Sequence, residues 1–465
     1  MAAPKVEPGA VIDGYVIDSQ IHKGGMATLW ALKTAAGEMP LIMKVPRLAE
    51  GEDPATIVGF EMEQMILPRL TGPHVPRFVA AGDFRTLPYI VMEWIQGKSL
   101  HTRLPDLPLP APEVAEIGAR AAVALDALHR QQVVHLDVKP SNIMVRPNGE
   151  MALIDFGLSH HLQLPDLLDE EFRLPYGTAP YMAPEQVLGL RSEPRSDLFA
   201  LGSLMYFFVT GTRPFGDPQT LKGLKKRLWR DPVPPRRLRP DCPPWLQEII
   251  LRCLEVDPGN RHPTAAQLAL DLRTPEQVPL TERAERRDQD GFIASFKRRL
   301  DVDAILTVDK RAGAGTAPII MATIDFDTLG DEAAEAMRDM IRQLMGAMPR
   351  ARLACVNVLK LRRIGLDSTL DEDGDHKHLN RLIELRHWAR PLGLPEGSVT
   401  FHVLEATKPA DAILDYARAN RIDHIVMGAR ERSTMRSLLG SVSGEVAAEA
   451  PCTVTVVRAR KDQTD

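Results

Sequence analysis

Cysteine is scarce in this chain of 465 residues, which has only Cys242, Cys253, Cys355 and Cys452. No two of them form a CxxC pair, which excludes a zinc ribbon or a disulfide scaffold and suits a reducing compartment. A basic excess is also absent, because 57 Lys and Arg face 62 Asp and Glu and the net charge is -5. This balance argues against a nucleic-acid partner.

A long apolar run is missing as well. The N-terminal MAAPKVEPGAVIDG lacks the apolar core of a secretory signal. The most apolar stretch, Leu198–Thr210, is too short to span a bilayer and is interpreted as a buried helix. We therefore expect a soluble cytoplasmic protein with no membrane partner. With 44% hydrophobic and 26% charged residues, general disorder is excluded, and the length predicts about two to four domains.

Proline is abundant, with 38 residues, and it is clustered. Because proline lacks an N–H donor and clashes with a preceding helical turn, Leu104–Pro112 and Asp231–Pro244 are predicted to be extended surface connections. The highly charged Thr281–Arg299 predicts a partly helical interdomain linker, which we place over residues 274–315.

The order of strand-like and helix-like patterns differs on the two sides of this linker. Before it, short β-like runs (YVIDSQI, ATLWALK, LIMKV, YIVMEW) precede long helical patterns such as APEVAEIGARAAVALDALHR. After it, strand and helix patterns alternate from PIIMATI to TVTVVR. Such alternation predicts an α/β domain with a doubly wound parallel sheet.

Six short motifs precede the linker in a fixed order. They are the glycine pair of IHKGGMATLWAL, Lys44 in the strand-like LIMKV, Glu63 in a helical stretch, HLDVKPSN at 135–142, DFG at 155–157 and APE at 183–185. Singly, the glycine pair is better explained as a turn, and Lys44 and Glu63 as solvent-facing residues, but the ordered set of six is very unlikely by chance. Glycines let a backbone close over phosphates, lysines neutralise a polyphosphate, and aspartate and asparagine oxygens suit a hard cation.

As a set, these motifs resemble the eukaryotic-like serine/threonine protein kinases of bacteria, over residues 13–273. The resemblance implies a bilobal α+β fold with an N-lobe at about 13–95 and a C-lobe at about 96–273. It also implies transfer of the γ-phosphoryl group of Mg-ATP to Ser/Thr hydroxyls of protein substrates.

The resemblance further implies a role for each matching residue. Lys44 would hold the α- and β-phosphates with Glu63 as its helix partner, Asp137 would accept the hydroxyl proton, and Lys139 would neutralise the transferred group. The magnesium ligands would be Asn142 and Asp155. The positions implied around ATP are Ile21, Gly24, Gly25, Met26, Leu29, Lys44, Glu93 and Ile95, the last two in a hinge that binds adenine through its backbone. Structural partners implied by the same resemblance are Asp197 with Gly202, Arg261 with Glu185, and Thr178 in the substrate pocket.

The sequence departs from the family pattern at several points. His22 and Ala27 replace two glycines of the phosphate loop, which predicts weakened ATP affinity. Leu136 replaces the arginine that in the family pairs with a phosphorylated activation loop. Between Gly157 and Gly177 the only Ser/Thr hydroxyl belongs to Ser159, so activity is predicted not to depend on phosphorylation there.

The activation segment is instead acidic, and a proline follows the glutamate helix. The acidic residues are Asp166, Asp169, Glu170 and Glu171. Pro68 is expected to end the helix of Glu63 early. The sequence leaves open whether Glu63 reaches Lys44.

Residues 316–458 resemble the universal stress protein family, most specifically in the ending SVSGEVAAEAPCTVTVV. The resemblance makes Asp325, Gly428, Gly440 and Ser441 candidate nucleotide ligands. However, Glu431 replaces a glycine of the family motif and the spacing to the Gly-Ser pair is one residue short. A regulatory or dimerising domain without ligand is therefore the favoured interpretation. The family's habit of pairing through the last strand suggests a homodimer through Thr453–Arg458.

Two other functions compete with an active protein kinase. A pseudokinase scaffold is disfavoured because the residues of the catalytic set are all present, and a small-molecule kinase is disfavoured by the peptide-platform segment GTAPYMAPEQ. Lys222–Arg230 is interpreted as a solvated basic face, and the histidines at 160, 161, 376 and 378 as solvent-exposed.

Overall fold

A computed structural model describes residues 5–47, 54–82, 84, 86–172, 175–289, 318–361, 377–395, 398–429 and 441–458. Within these residues no helix is both long and apolar enough to cross a membrane. The predicted buried helix at Leu198–Thr210 is confirmed, since it forms most of a helix that ends at Gly211 in the left-handed conformation.

The described residues of the N-lobe form an antiparallel sheet and one α-helix. Its strands follow the order β1-β2-β3-β4-β6-β5, and the helix α1 is succeeded by a 3-10 turn at Leu67–Arg69, where Pro68 ends the regular helix. The elements are β1 (Val11–Ile12), β2 (Tyr15–Lys23), β3 (Ala27–Leu32), β4 (Leu41–Pro46), α1 (Pro54–Ile66), β5 (Phe78–Ala81) and β6 (Ile90–Glu93).

The C-lobe is mainly helical. Its helices are α2 (Ala111–His129), α3 (Leu167–Glu171), α4 (Pro184–Val187), α5 (Arg195–Thr210), α6 (Leu221–Leu224), α7 (Pro235–Leu238), α8 (Pro244–Cys253), α9 (Ala265–Arg273) and α10 (Glu282–Glu285). Short strands are β7 (Lys98–Ser99), β8 (Val133–Val134), β9 (Ile143–Val145), β10 (Met151–Leu153) and β11 (His160–His161). Helix α5 packs closely on α8, because a Cβ added at Gly202 would lie 2.4 Å from the Cβ of Cys253.

The C-terminal domain is the predicted doubly wound α/β domain. Its five parallel strands follow the order β14-β13-β12-β15-β16. Helices α11 and α12 contribute to the apolar core on one face of the sheet, and α13 and α14 to the core on the other. The elements are β12 (Ile319–Thr323), α11 (Asp331–Ala347), β13 (Arg352–Lys360), α12 (Lys377–Ala389), β14 (Val399–Ala406), α13 (Pro409–Ala419), β15 (His424–Gly428), α14 (Ser441–Glu449) and β16 (Thr453–Val457).

The proline-rich segments are not fully extended, and that prediction is wrong in part. Leu100–Asp106 forms a 3-10 helix, and Pro235–Leu238 forms one helical turn that starts at its proline. Proline is tolerated there because the first turn of a helix leaves its N–H groups without intrahelical partners.

The first part of the predicted linker packs against the C-lobe. Gln247 on α8 donates hydrogen bonds to the carbonyl groups of Arg283, Ala284 and Arg286, and Thr281 bonds to Glu248. The described part of the catalytic unit therefore extends to Gln289, and residues 290–317 lie between it and the described part of the C-terminal domain.

Candidate active site

Three charged side chains meet between the lobes. Lys44 on β4 lies 2.5 Å from the Oε2 of Glu63 and 2.9 Å from the Oδ1 of Asp155, so the helix that Pro68 ends is still long enough to carry Glu63 to Lys44. Burial opposes the charge of Lys44, but the two carboxylates outweigh it and raise its pKa above the ordinary value. The same lysine lowers the pKa of Asp155 to about 2. A fixed ammonium group thus faces the interlobe cleft beside an ionised carboxylate.

The loop of HLDVKPSN is held in a strained conformation. Leu136 has φ +62°, a left-handed value that a branched side chain rarely adopts. The buried carboxylate of Asp197 accepts hydrogen bonds of 2.8 Å from the backbone N–H groups of His135 and Leu136, and it contacts the Nε2 of His129 at 2.8 Å. Asp197, predicted as a structural partner, therefore fixes the loop that presents Asp137.

Asp137 is the centre of a polar cluster. Its Oδ1 accepts hydrogen bonds from the backbone N–H and the hydroxyl group of Thr178, at 3.0 and 2.6 Å. Its Oδ2 lies 2.6 Å from the Nζ of Lys139 and accepts a 3.0 Å bond from the amide of Asn142. Lys139 also donates to the Thr178 hydroxyl at 3.1 Å. The cluster combines a carboxylate that can accept a proton with an ammonium that can neutralise an anion.

The oxygen donors predicted for magnesium lie on adjacent segments. The backbone N–H of Ile154 donates a 3.0 Å bond to the carbonyl of Asn142, which brings Asn142 next to Asp155 in the fold. Within the described residues no group of three His, Cys, Asp or Glu is arranged to hold a metal ion. A carboxylate and an amide oxygen nevertheless suit Mg²⁺, which takes its other ligands from water and phosphate.

The glycine pair forms the tight turn between β2 and β3. The N–H of Gly24 donates to the carbonyl of Ala27 at 2.9 Å, and Arg47 donates to the carbonyl of Gly24 at 3.0 Å. The side chains of Ile21 and Met26 are exposed here. Leu29 pairs with Lys44 across the sheet, which places the two on neighbouring strands beside the cleft.

The hinge segment follows β6. The carboxylate of Glu93 is bound by the guanidinium of Arg146, and its backbone N–H donates to the carbonyl of Arg77 at 2.8 Å, so both groups have structural partners. Ile95 is buried.

The platform segment after Thr178 is held by two arginines of the C-lobe. Glu185 and Arg261 form the predicted ion pair through two bonds of 2.6 and 2.8 Å. Arg227, predicted to be a solvated cation, is instead 1% exposed, and it donates to the carbonyl groups of Ala179 and Met182. That prediction was wrong because one residue of a basic run can turn inward when backbone carbonyls need donors.

The activation segment between Gly157 and Gly177 has one serine, Ser159, and its hydroxyl is not exposed. Ser159 is fully buried and donates to the carbonyl of His135 at 3.1 Å. Asp166 is bound by Arg191 at 2.6 Å and by His160 at 2.9 Å. The expected exposure is wrong for His161 and His378, which are buried, while His376 lies outside the described residues.

Sequence reasoning missed a contact between α3 and the C-terminal domain. The carboxylate of Glu170 lies 2.7 Å from the guanidinium of Arg352 and 3.0 Å from the Nε2 of His402. Glu171 faces His402 and His378 at 3.6 and 3.5 Å. The acidic residues of this segment are the one sign of the contact in the sequence, but the sequence does not show which cations these residues bind.

A second cavity, of about 190 Å³, lies in the C-terminal domain at the carboxyl ends of its strands. Asp325 and Gly428 line it, as does Asn357, whose buried Oδ1 has no hydrogen-bond partner among the described residues. Gly440 and the side chain of Ser441 lie outside the described residues.

Comparison with known proteins agrees with this two-part organisation. The family profile of the protein kinase domain matches residues 15–271, and that of the universal stress protein family matches residues 318–458. The serine/threonine-protein kinase PknB of Mycolicibacterium smegmatis is 32% identical over 57% of this chain and 43% of its own length. A probable serine/threonine-protein kinase PknB of Lactococcus lactis is 27% identical over 69% of this chain and 50% of its own length. The chain thus spans half or less of these curated relatives.

Among solved structures, the PknI kinase domain of Mycobacterium tuberculosis is 22% identical, with a TM-score of 0.45 over 59% of this chain and 100% of that chain. The assignment of this chain rests on the two profiles and on the assembled motifs. The chain belongs to the protein kinase family, and its C-terminal domain is a universal stress protein domain.

Proposed function

We propose that this protein is a serine/threonine protein kinase that transfers the γ-phosphoryl group of Mg-ATP to hydroxyl groups of protein substrates. The observation that carries the proposal is the joint assembly of Lys44, Glu63 and Asp155 beside the Asp137–Lys139–Thr178 cluster. Phosphoryl transfer needs positioning and charge neutralisation more than covalent chemistry, and these two clusters supply both.

In the proposed reaction the substrate hydroxyl oxygen bonds to the γ-phosphorus while the bond from that phosphorus to the β,γ-bridging oxygen breaks. The carboxylate of Asp137 takes the hydroxyl proton, and ADP leaves with the bridging oxygen. Lys44 would hold the α- and β-phosphates, and Lys139 would neutralise charge on the transferred group. Mg²⁺, held by Asn142 and Asp155, would add positive charge at the phosphates when bound.

The pseudokinase alternative is weakened by the same geometry. Lys44 contacts Glu63 directly, and the amide of Asn142 contacts the carboxylate of Asp137. A scaffold without chemistry would have no need of these buried contacts, since buried charges are expensive unless they are paired.

The test is phosphate transfer from γ-labelled Mg-ATP to the protein itself and to a generic basic protein. Asp137→Asn should lower transfer by at least about 100-fold, because the amide cannot accept the proton. Asp126→Asn, which alters a surface pair with Arg130 on α2, is the matched control and should keep wild-type activity. If the wild-type protein is folded but transfers no phosphate, the pseudokinase scaffold becomes the favoured function.

A second candidate function, nucleotide binding in the C-terminal domain, is favoured by one observation. The buried Oδ1 of Asn357 lies in the cavity beside Asp325 without a partner among the described residues, and a buried polar atom of this kind is satisfied by a ligand or by water. Calorimetry with a non-hydrolysable ATP analogue should then give two nucleotides per chain, falling to one in Asn357→Leu. One nucleotide per wild-type chain would leave the domain without this function.

A further inference from the structure

Two glutamates of the short activation helix α3 are buried against the C-terminal domain. The side chains of Glu170 and Glu171 are 10% and 3% exposed. Removing a carboxylate from water costs several kcal/mol, so such residues are stable only when cations or donors face them. The position of α3 therefore depends on whatever supplies those groups.

Glu170 is bound by the C-terminal domain through a two-pronged contact. Arg352, the first residue of β13, donates from Nη1 to Oε2 at 3.0 Å, and its Nη2 lies 2.7 Å from Oε1. His402 of β14 contacts Oε2 at 3.0 Å, and the hydroxyl of Tyr416 donates to the same oxygen at 3.3 Å. A bidentate guanidinium contact fixes both distance and orientation.

Glu171 and the end of α3 meet the same domain. The carboxylate of Glu171 lies 3.6 Å from the Nδ1 of His402 and 3.5 Å from the Nε2 of His378. The side-chain amide of Asn420 donates to the backbone carbonyl of Glu170 at 3.2 Å. Within the described residues, the cationic partners of this acidic pair all belong to the C-terminal domain.

The catalytic domain holds the start of α3, where Asp166 caps the helix and is bound by Arg191 and His160, but among the described residues it places no cation against Glu170 or Glu171. The residue that precedes Asp137 is Leu136, which is apolar and buried, and Ser159 is buried with its hydroxyl already bonded. Helix α3 has five residues, too few to be stable on helix formation alone. Its order must come from tertiary contacts.

A further contact from the C-terminal domain reaches α1. The guanidinium of Arg386 pairs with the buried Glu61, and it lies 5.2 Å from the ring centre of Phe84 and 5.0 Å from that of Phe401. Glu61 is two residues from Glu63, which holds Lys44. The activation segment and the helix that carries Glu63 are thus both contacted by the C-terminal domain.

We propose that Arg352 and His402 of the C-terminal domain are positioning residues for phosphotransfer, which act by holding α3 in its active place through Glu170 and Glu171. Arg386 does the same for α1 through Glu61. This inference rests on the kinase function proposed above. It assigns to the universal stress protein domain the anchoring that a cation in the catalytic loop would otherwise provide.

The test compares full-length wild-type protein with Arg352→Gln in steady-state phosphorylation of a protein substrate. The kcat should fall at least about tenfold, because a displaced activation segment misplaces the acceptor hydroxyl. The KM for ATP should change less than about threefold, because the contacts of Lys44 are untouched. Arg342→Gln removes two ion pairs within α11 of the C-terminal domain, with Glu335 and Asp339, and is the matched control, expected to keep wild-type kcat.

Hydrogen exchange measured on the same full-length proteins gives a readout that does not need activity. The amides of residues 167–171 should exchange at least about tenfold faster in Arg352→Gln than in wild type, while those of α5 stay unchanged. Unchanged exchange in α3, unchanged kcat, or a kcat that rises would each overturn the proposal. If wild type transfers no phosphate, the proposed function fails, and the exchange result still decides whether the domain holds α3.

Discussion

Arg227 lies buried beneath the platform segment, and no carboxylate in the described part of the chain contacts it. Its guanidinium donates to the carbonyl groups of Ala179, Met182 and Leu224, and it lies 5.4 Å from the ring centre of Phe215. Burial lowers its pKa to about 10, which leaves it charged at neutral pH. A single side chain therefore ties the segment after Thr178 to the helical turns at 221–228.

We predict that Arg227→Met destabilises the protein by about 3 kcal/mol, because it leaves two or three buried carbonyls without donors at about 1–3 kcal/mol each. Arg227→Lys should recover part of this loss, since an ammonium keeps the charge but reaches fewer carbonyls. Chemical denaturation measures the loss, and Lys222→Met, at a surface position of the same basic run, is the control. Equal stability of the Met variant and the wild type would contradict the prediction.

At the scale of elements, the activation segment is held by ion pairs rather than by a modified hydroxyl. Asp166 caps α3 and is bound by Arg191 and His160, whose proximity outweighs burial and lowers its pKa. Glu170 completes the anchoring at the other end of the helix through Arg352 and His402.

Activity is accordingly predicted to survive complete dephosphorylation. Treatment of the purified protein with a broad-specificity phosphatase should leave kcat within about twofold, because the one serine of the described activation segment is buried. Mass spectrometry confirms that phosphate has been removed before the assay. Loss of activity that returns on incubation with Mg-ATP would refute this prediction.

The contact between α3 and the C-terminal domain is predicted to weaken as pH rises. His402 faces Glu170 and Glu171 from α3, Tyr416 from α13, and Arg352 across Glu170. Burial opposes its charge, but the two glutamates outweigh burial and raise the pKa of His402 to about 9. Because this pKa exceeds the unfolded value of about 6.5, the stabilisation is complete below pH 6.5 and is lost toward pH 9.

Glu171 acts in the same direction at lower pH. Burial raises its pKa to about 7, so its contribution is complete below about pH 4.5 and is lost as pH rises to 7. Exchange of the α3 amides, corrected for the intrinsic pH effect, should therefore be slower at pH 6.5 than at pH 9 in wild type. His402→Gln should show a smaller difference, and an identical difference in the two proteins would exclude His402 as the cause.

At the scale of the whole molecule, regular sequence patterns allowed the fold to be predicted, but contacts between residues far apart in the chain could not be predicted. The alternation after residue 316 predicted the doubly wound sheet, and the ordered motifs identified Lys44 and Asp155, which form an ion pair. Neither the contact of Arg386 with Glu61 nor that of Arg352 with Glu170 could be predicted, because side chains nearly 200 residues apart or more leave no periodic signal. The burial of Arg227 could not be predicted from the sequence for a related reason, since its partners are backbone carbonyls.

A homodimer through the last strand stays a prediction. Strand β16 is at the edge of the five-stranded sheet, so one row of its backbone groups is available for pairing with another chain. Light scattering should give a dimer for the whole chain and a monomer after truncation at residue 300. If the whole chain is a monomer at the highest soluble concentration, the homodimer hypothesis is contradicted.

The short chain between the last described residue of the catalytic unit, Gln289, and the first of the C-terminal domain, Pro318, has a kinetic consequence. Because both domains belong to one chain, each meets the other at an effective concentration that does not fall when the protein is diluted. An activator tethered in this way stays engaged at any dilution. The specific activity of the kinase should therefore be the same at nanomolar and micromolar protein, a constancy that activation by a second chain would not show.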